Sequence, residues 1–120
     1  MLQIKPTLKQ DYAVLALRGN LYADPDANLW KAMHGLVVQN DQRNVLLDLS
    51  GVRLCDSVGI SELLHLQLTL ESMSGKLVLF AASPLLTKMF EITKINRWLN
   101  LAKDQSEAVC KLNGRLEALA

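Results

Sequence analysis

Asp56, Ser57 and Gly59 stand together in Cys55-Asp-Ser-Val-Gly-Ile60, after an apolar run and before a long leucine-rich segment. A hydroxyl beside a carboxylate can accept a phosphoryl group, or act as a nucleophile if a base lies within reach. The chain has two histidines, His34 and His65. Both read as solvated helix positions, His65 about two turns after Ser57. No Gly-x-Ser-x-Gly elbow, Walker loop or dinucleotide glycine fingerprint is present. The nucleophile reading is therefore the weaker one. The chain reads as a non-enzyme that needs no cofactor.

The placement of Ser57 matters more than its type. Val45-Leu-Leu-Asp-Leu49 reads as a buried central strand, and Ser50-Gly51 as the turn that follows it. A helix is expected to begin at Asp56 or Ser57. Its first N–H groups lack partners and its dipole is positive there. A phosphoryl group of about −1.5 to −2 charges is tolerated at such a place. It gains about 0.3–1 kcal/mol from the dipole. A plainer role for Ser57 is that of an N-cap. Gly59, lacking a side chain, would let a partner's backbone or a kinase come close.

The helix after Ser57 competes with a strand. Leu64 to Glu71 alternates apolar and polar, a strand pattern. At about 100° per residue, however, Ile60, Leu63, Leu64, Leu66, Leu68, Leu70 and Met73 cover one broad face. Ser61, Glu62, His65, Thr69 and Ser72 gather on the other. The span 57–74 is long for a strand, and Gly75 supplies a helix stop, so the spacing predicts a helix.

Around this centre the chain reads as alternating strands and helices, an α/β pattern. Residues 2–8 form a weak edge strand interrupted by Pro6. Tyr12 to Arg18 forms a second strand, closed by Gly19 and joined to the first antiparallel through Lys9-Gln10-Asp11. Asp24-Pro25 opens a helix with Leu29, Ala32, Met33, Leu36 and Val37 inward, ended by Asn40-Asp41. Lys76 to Phe80 is another buried strand. Ser83-Pro84 starts a helix with Leu86, Met89, Phe90 and Thr93 inside. Leu99 to Leu101 is a short last strand. Ser106 caps a terminal helix whose stripe is Val109, Leu112, Leu116 and Leu119.

Composition narrows the functions. At 120 residues, half of them hydrophobic, residues 1–120 make one domain. Thirteen basic and twelve acidic residues are scattered without a basic block, which argues against nucleic acid. Apolar runs fall short of the ~18 residues of a membrane span. Lys5, Lys9, Gln10 and Asp11 interrupt any signal peptide, so a cytoplasmic address is expected without membrane insertion. Cys55 and Cys110 give no metal pattern and read as reduced core residues. A redox role for Cys55 stays open because it adjoins Asp56-Ser57. Trp30 and Trp98 read as half-core residues, and Lys88, Lys94 and Arg97 as a wet helix face.

The segment Val45-Leu-Leu-Asp-Leu-Ser-Gly-Val52 followed by Asp56-Ser57-Val58-Gly59-Ile60 resembles the signature of STAS domains. The family is named for sulphate transporters and anti-sigma factor antagonists. Gly75 to Phe80 and Leu85 to Leu99 match its next strand and helix, and the resemblance covers roughly residues 10–110. It implies a STAS-like α/β single domain, with a mixed four- to five-stranded sheet flanked by about four helices. It also implies partner switching. The unphosphorylated protein binds an anti-sigma factor that is a GHKL-type serine kinase, phosphorylation releases it, and a PP2C-type phosphatase restores binding. By resemblance Ser57 is the phosphoacceptor, and Asp56, Ser57, Gly59, Ser61, Glu62 and His65 form the docking surface. A monomer that forms heterocomplexes is the implied state. Tyr22 stands where members often carry an acid after Gly-x-Leu, which bears on kinase pairing. The alternative within the family is a cytoplasmic STAS subunit docked on the ATPase of an ABC lipid transport system.

Overall fold

The structure, a computed structural model, describes residues 2–23 and 27–113. Five strands form one sheet in the order β1 (Gln3–Leu8), β2 (Ala13–Leu21), β3 (Asn44–Cys55), β4 (Lys76–Phe80) and β5 (Leu101–Ala102). β1 and β2 pair antiparallel, with Pro6 opposite Leu15 on the edge strand. Every later pairing is parallel. The sheet is thus mixed, as expected. Helices α1 (Asn28–Asn40), α2 (Ser57–Ser72) and α3 (Pro84–Ile92) make the three crossovers, and α4 (Gln105–Leu112) closes the described chain. The strand order advances one place at each crossover. Crossovers of one hand therefore put all three helices on the same face.

Strand alternation divides the core accordingly. Leu15, Leu17, Val45, Leu47, Leu49, Leu77 and Leu79 face α1, α2 and α3, meeting Met33, Leu36, Ile60, Leu63, Leu70, Leu86 and Phe90. Val14, Leu46, Val78 and Phe80 face the other way, onto Ala108 of α4.

Segment 57–72 is a helix, as its length required. Its apolar face is narrower than the spacing suggests: Leu68 is exposed, while Gln67 is buried to 3 % exposure. The amide of Gln67 explains this. Its Nε2 donates to the Trp98 carbonyl at 2.6 Å, and its Oε1 accepts from the Asn100 N–H at 2.8 Å. Both groups belong to the segment entering β5, which is too short to satisfy them through its own ladder.

Several boundaries differ from expectation. β2 continues through Gly19 to Leu21. β3 does not turn at Ser50-Gly51 but runs on to Cys55. Its register against β2 slips from Ala16↔Asp48 to Arg18↔Gly51, then from Gly19↔Val52 to Leu21↔Cys55. Each step takes three residues of β3 for two of β2, which is a bulge. At the first bulge the Ser50 N–H donates to the Asp48 carboxylate at 3.0 Å. Polar residues that read as a turn here supply a bulge instead. Ser83 caps α3 as expected, accepting from the Leu86 N–H at 3.1 Å, but Thr93 is exposed rather than inside. α4 is capped by Asp104, which accepts from Glu107 N–H at 2.9 Å, and not by Ser106. A carboxylate two positions earlier takes the cap. Asp24-Pro25, Leu116 and Leu119 lie outside the described residues.

Replacing Gln67 by alanine takes from the part-buried Trp98 carbonyl and Asn100 N–H their side-chain partner. Urea denaturation is expected to show a loss of about 1–3 kcal/mol in unfolding free energy.

Candidate functional site

The site forms where β2, β3 and α2 meet. Leu21 ends β2 opposite Cys55, the last residue of β3. The Leu21 carbonyl accepts the Asp56 N–H at 3.2 Å. Asp56, in an extended conformation, is the N-cap of α2, and its carboxylate accepts the Gly59 N–H at 2.7 Å. Asp56 therefore ties the helix start to the sheet end through its own backbone and side chain.

Gly59 is buried at this junction. A Cβ added to it would lie 2.0 Å from the Leu21 oxygen and 2.6 Å from the Leu21 carbonyl carbon. This corrects the expectation that Gly59 leaves room for a partner. Its missing side chain admits the backbone of β2, inside the protein.

Ser57 is the first residue of α2, and it is exposed. It is not the cap, because Asp56 is. Among the described residues no hydrogen bond engages its hydroxyl, and neither His34 nor His65 is bonded to it. An activated nucleophile needs a base within hydrogen-bond reach, and this hydroxyl has none in place. His34 lies instead face to face with Trp30, ring centroids 4.6 Å apart.

Ser61 and His65 are exposed on α2, and Glu62 is half-buried. The structure brings Glu62, His65 and Leu66 to one groove of about 240 Å³, closed on its far side by Ala27, Leu29 and Trp30 near the start of α1. Trp30 was not among the expected site residues. Its place in the groove depends on how α1 packs beside α2. Tyr22, Leu54 and Val58 are exposed large side chains next in sequence to Leu21, Cys55 and Ser57. For Leu54 and Val58 the short spacing from the Asp-Ser motif was the available signal, whereas Tyr22 comes to the site only through the pairing of Leu21 with Cys55.

The cysteines are not both in the core. Cys55 is half-buried and Cys110 exposed. Burial, and then the Asp56 carboxylate, push the Cys55 thiol above its ordinary pKa. At neutral pH less of it is thiolate than in a free cysteine, which opposes a redox role. Among the described residues no cluster of three or more His, Cys, Asp or Glu could hold a metal, and no helix is long and apolar enough to cross a membrane.

The mixed sheet advances in order without reversal, and an exposed hydroxyl stands at the start of the second crossover helix, which defines a single α/β domain with a surface site rather than one at a reversal of strand order. The family model described as "Mlab, STAS domain" matches residues 4–103, and the chain belongs to the STAS domain family. Solved structures agree on the fold. The anti-sigma factor antagonist SpoIIAA in its unphosphorylated form superposes with a TM-score of 0.66 at 18% identity, over 95% of this chain and 99% of that one. The phosphorylated form of the Bacillus protein gives 0.63 at 20%, over 92% and 98%. A putative anti-sigma factor antagonist of Thermotoga maritima gives 0.75 at 18%, over 92% and 94%. The murine anion transporter Slc26a9 contains the same fold, at 0.63 and 19%, over 87% of this chain and 18% of that one.

Two outcomes are expected at this site. Gly59→Ala forces α2 away from Leu21 and lowers stability by about 3 kcal/mol, the upper end for overpacking, as read by thermal or urea unfolding. In a Cys110→Ser background, Cys55 reacts slowly with a disulfide reagent at neutral pH and faster as pH rises. Asp56→Asn keeps a capping side chain but removes the charge, so it raises the neutral rate part of the way, burial being the larger cause.

Proposed function

We infer that this chain is a non-enzymatic partner-switching module of the anti-sigma factor antagonist type, with Ser57 as its phosphoacceptor. The observation that carries this reading is the unengaged Ser57 hydroxyl, exposed on the first turn of α2 while Asp56 does the capping. Phosphorylation there breaks no bond that the fold uses. Its effect falls on whatever touches the surface.

That surface comprises Asp56, Ser57, Ser61, Glu62 and His65, bordered by Tyr22, Leu54 and Val58. In the unphosphorylated state it binds an anti-sigma factor that is also a GHKL-type serine kinase, and a PP2C-type phosphatase resets it. The occurrence of the SpoIIAA fold in both unphosphorylated and phosphorylated forms supports this. The magnitudes also suffice. A hundredfold loss of affinity needs about 2.7 kcal/mol. Two unit charges ~4 Å apart near a protein surface repel by about 4 kcal/mol before salt screening. One phosphate facing a partner carboxylate is enough.

The match to the family model described as "Mlab, STAS domain", together with the occurrence of the fold as part of a transporter, supports a second reading, a cytoplasmic subunit docked constitutively on the ATPase of a lipid-transporting ABC system. The two readings differ in whether Ser57 matters.

Affinity capture with wild type, Ser57→Ala and Ser57→Asp, followed by mass spectrometry, separates them. Wild type and Ser57→Ala are expected to retain a GHKL-type kinase, and Ser57→Asp to lose it by at least about a hundredfold, about 2.7 kcal/mol, while its unfolding curve is unchanged. Equal retention of the kinase by all three overturns the switch. Equal retention of a transporter ATPase establishes the second reading.

A further inference from the structure

The two most exposed large apolar side chains among the described residues, Trp98 at 68% and Ile92 at 67%, do not adjoin Ser57 in the sequence, and Leu85 on the same helix as Ile92 is also exposed. Leu85, Lys88 and Ile92 stand at i, i+3 and i+7 of α3 and share one face of it. The chain then leaves α3 through Thr93 and Lys94 into the short 3-10 turn Ile95–Arg97, and ends this stretch at Trp98. From Glu91 to Trp98 only Ile95 is buried. Its carbonyl accepts the Trp98 N–H at 2.9 Å, so the turn projects on a single apolar anchor.

This projection is held in place. Gln67 of α2 bonds the Trp98 carbonyl on one side and the Asn100 N–H on the other, and the Asn100 side chain donates to the Leu77 carbonyl at 3.0 Å. A buried amide thus fixes the backbone that presents a wet tryptophan. Packing of the core gives no reason for that exposure.

The charges around it are mostly positive. Lys88, Lys94 and Arg97 are exposed, against Glu91 alone. Among the described residues none of the three cations is ion-paired. Cations lie between apolar groups along the stretch, in the order Leu85, Lys88, Ile92, Lys94, Arg97, Trp98. Two of the three cations are lysines, a residue type depleted from the dried centres of protein interfaces, and desolvating an unpaired ammonium there is costly. A layer of anionic headgroups imposes no such demand. Tryptophan settles at the boundary of headgroup and acyl chain, and long cationic side chains reach back to the phosphates.

We propose that the α3 face and the turn after it, Leu85, Lys88, Ile92, Lys94, Arg97 and Trp98, form a peripheral docking surface for an anionic lipid membrane. The domain lies on the bilayer by this edge and does not span it. The contact is reversible and salt-sensitive, since much of it is electrostatic.

The test uses the full chain and two vesicle preparations, phosphatidylcholine alone and phosphatidylcholine mixed equally with phosphatidylserine. Sedimentation measures binding. A Trp30→Phe background makes Trp98 the sole indole reporter. The protein is expected to sediment with the mixed vesicles and not with phosphatidylcholine, with Trp98 emission moving to the blue and binding falling as salt rises. Removing two cations by Lys94→Ala and Arg97→Ala weakens binding by about 30-fold, at roughly 1 kcal/mol per cation. Ile92→Ser with Trp98→Ser weakens it too, while circular dichroism and the unfolding midpoint confirm that each variant is folded. Absence of wild-type binding to the mixed vesicles overturns the proposal, as does equal binding to both preparations. A blue shift of Trp98 that requires an added purified partner protein, with no vesicle binding, makes this edge a protein interface and the lipid assignment fails.

Discussion

The carbonyl of Leu21 sets the geometry of the whole site. It accepts the amide of Asp56, and it occupies the space where a side chain on residue 59 would be. The end of one strand, the end of its neighbour and the beginning of α2 are held against each other at that oxygen. A backbone contact this close has no slack, because neither a carbonyl nor a helix main chain can rotate out of the way as a side chain can. The position of Ser57 therefore follows from the sheet, not from local flexibility. Asp56 completes the arrangement by supplying the cap that the helix needs. The adjacent hydroxyl is thereby released from any structural duty.

The rest of the fold serves this junction from a distance. Three crossover helices lie on one face because the strand order advances without reversal. α2 is the middle of them. Its inner residues Ile60, Leu63 and Leu70 are packed on the sheet, while Ser57, Ser61 and His65 remain at the surface. One helix is thus both core and display. Gln67 extends it sideways, fastening the segment that carries Trp98 to the same helix that carries Ser57. Two surfaces of different character, one around a hydroxyl and one around an exposed indole with cations, are mounted on shared rigid structure.

Much of this was legible in the residues. The alternation of apolar runs and helical spacings identified the α/β class, and the Asp-Ser-x-Gly motif identified both the family and the start of α2. Length decided rightly for a helix over 57–72, although the leucines alternate. Reading failed where a residue type has two uses. Ser50-Gly51 suits a turn and a bulge equally, and only the pairing of β3 with β2 selects the bulge. Asp104 and Ser106 are both capping residues, and only the helix start chooses between them. The helical spacing gave Gln67 no role on either face of α2, and it is buried because the short β5 leaves two backbone groups that its amide satisfies.

The sequence by itself determined the order of elements, the side of each that is apolar, and the presence of a serine at a helix start, because these depend on neighbours within a few residues along the chain. Which groups meet was decided only in three dimensions. Leu21 and Gly59 are 38 positions apart in the sequence, and no local pattern records that the glycine is vacant for that carbonyl. The same holds for Trp30 facing Glu62 and His65 across a groove. Contacts of this kind arise from the packing of a helix on a sheet, where position is set by the sum of many surfaces and not by any one residue.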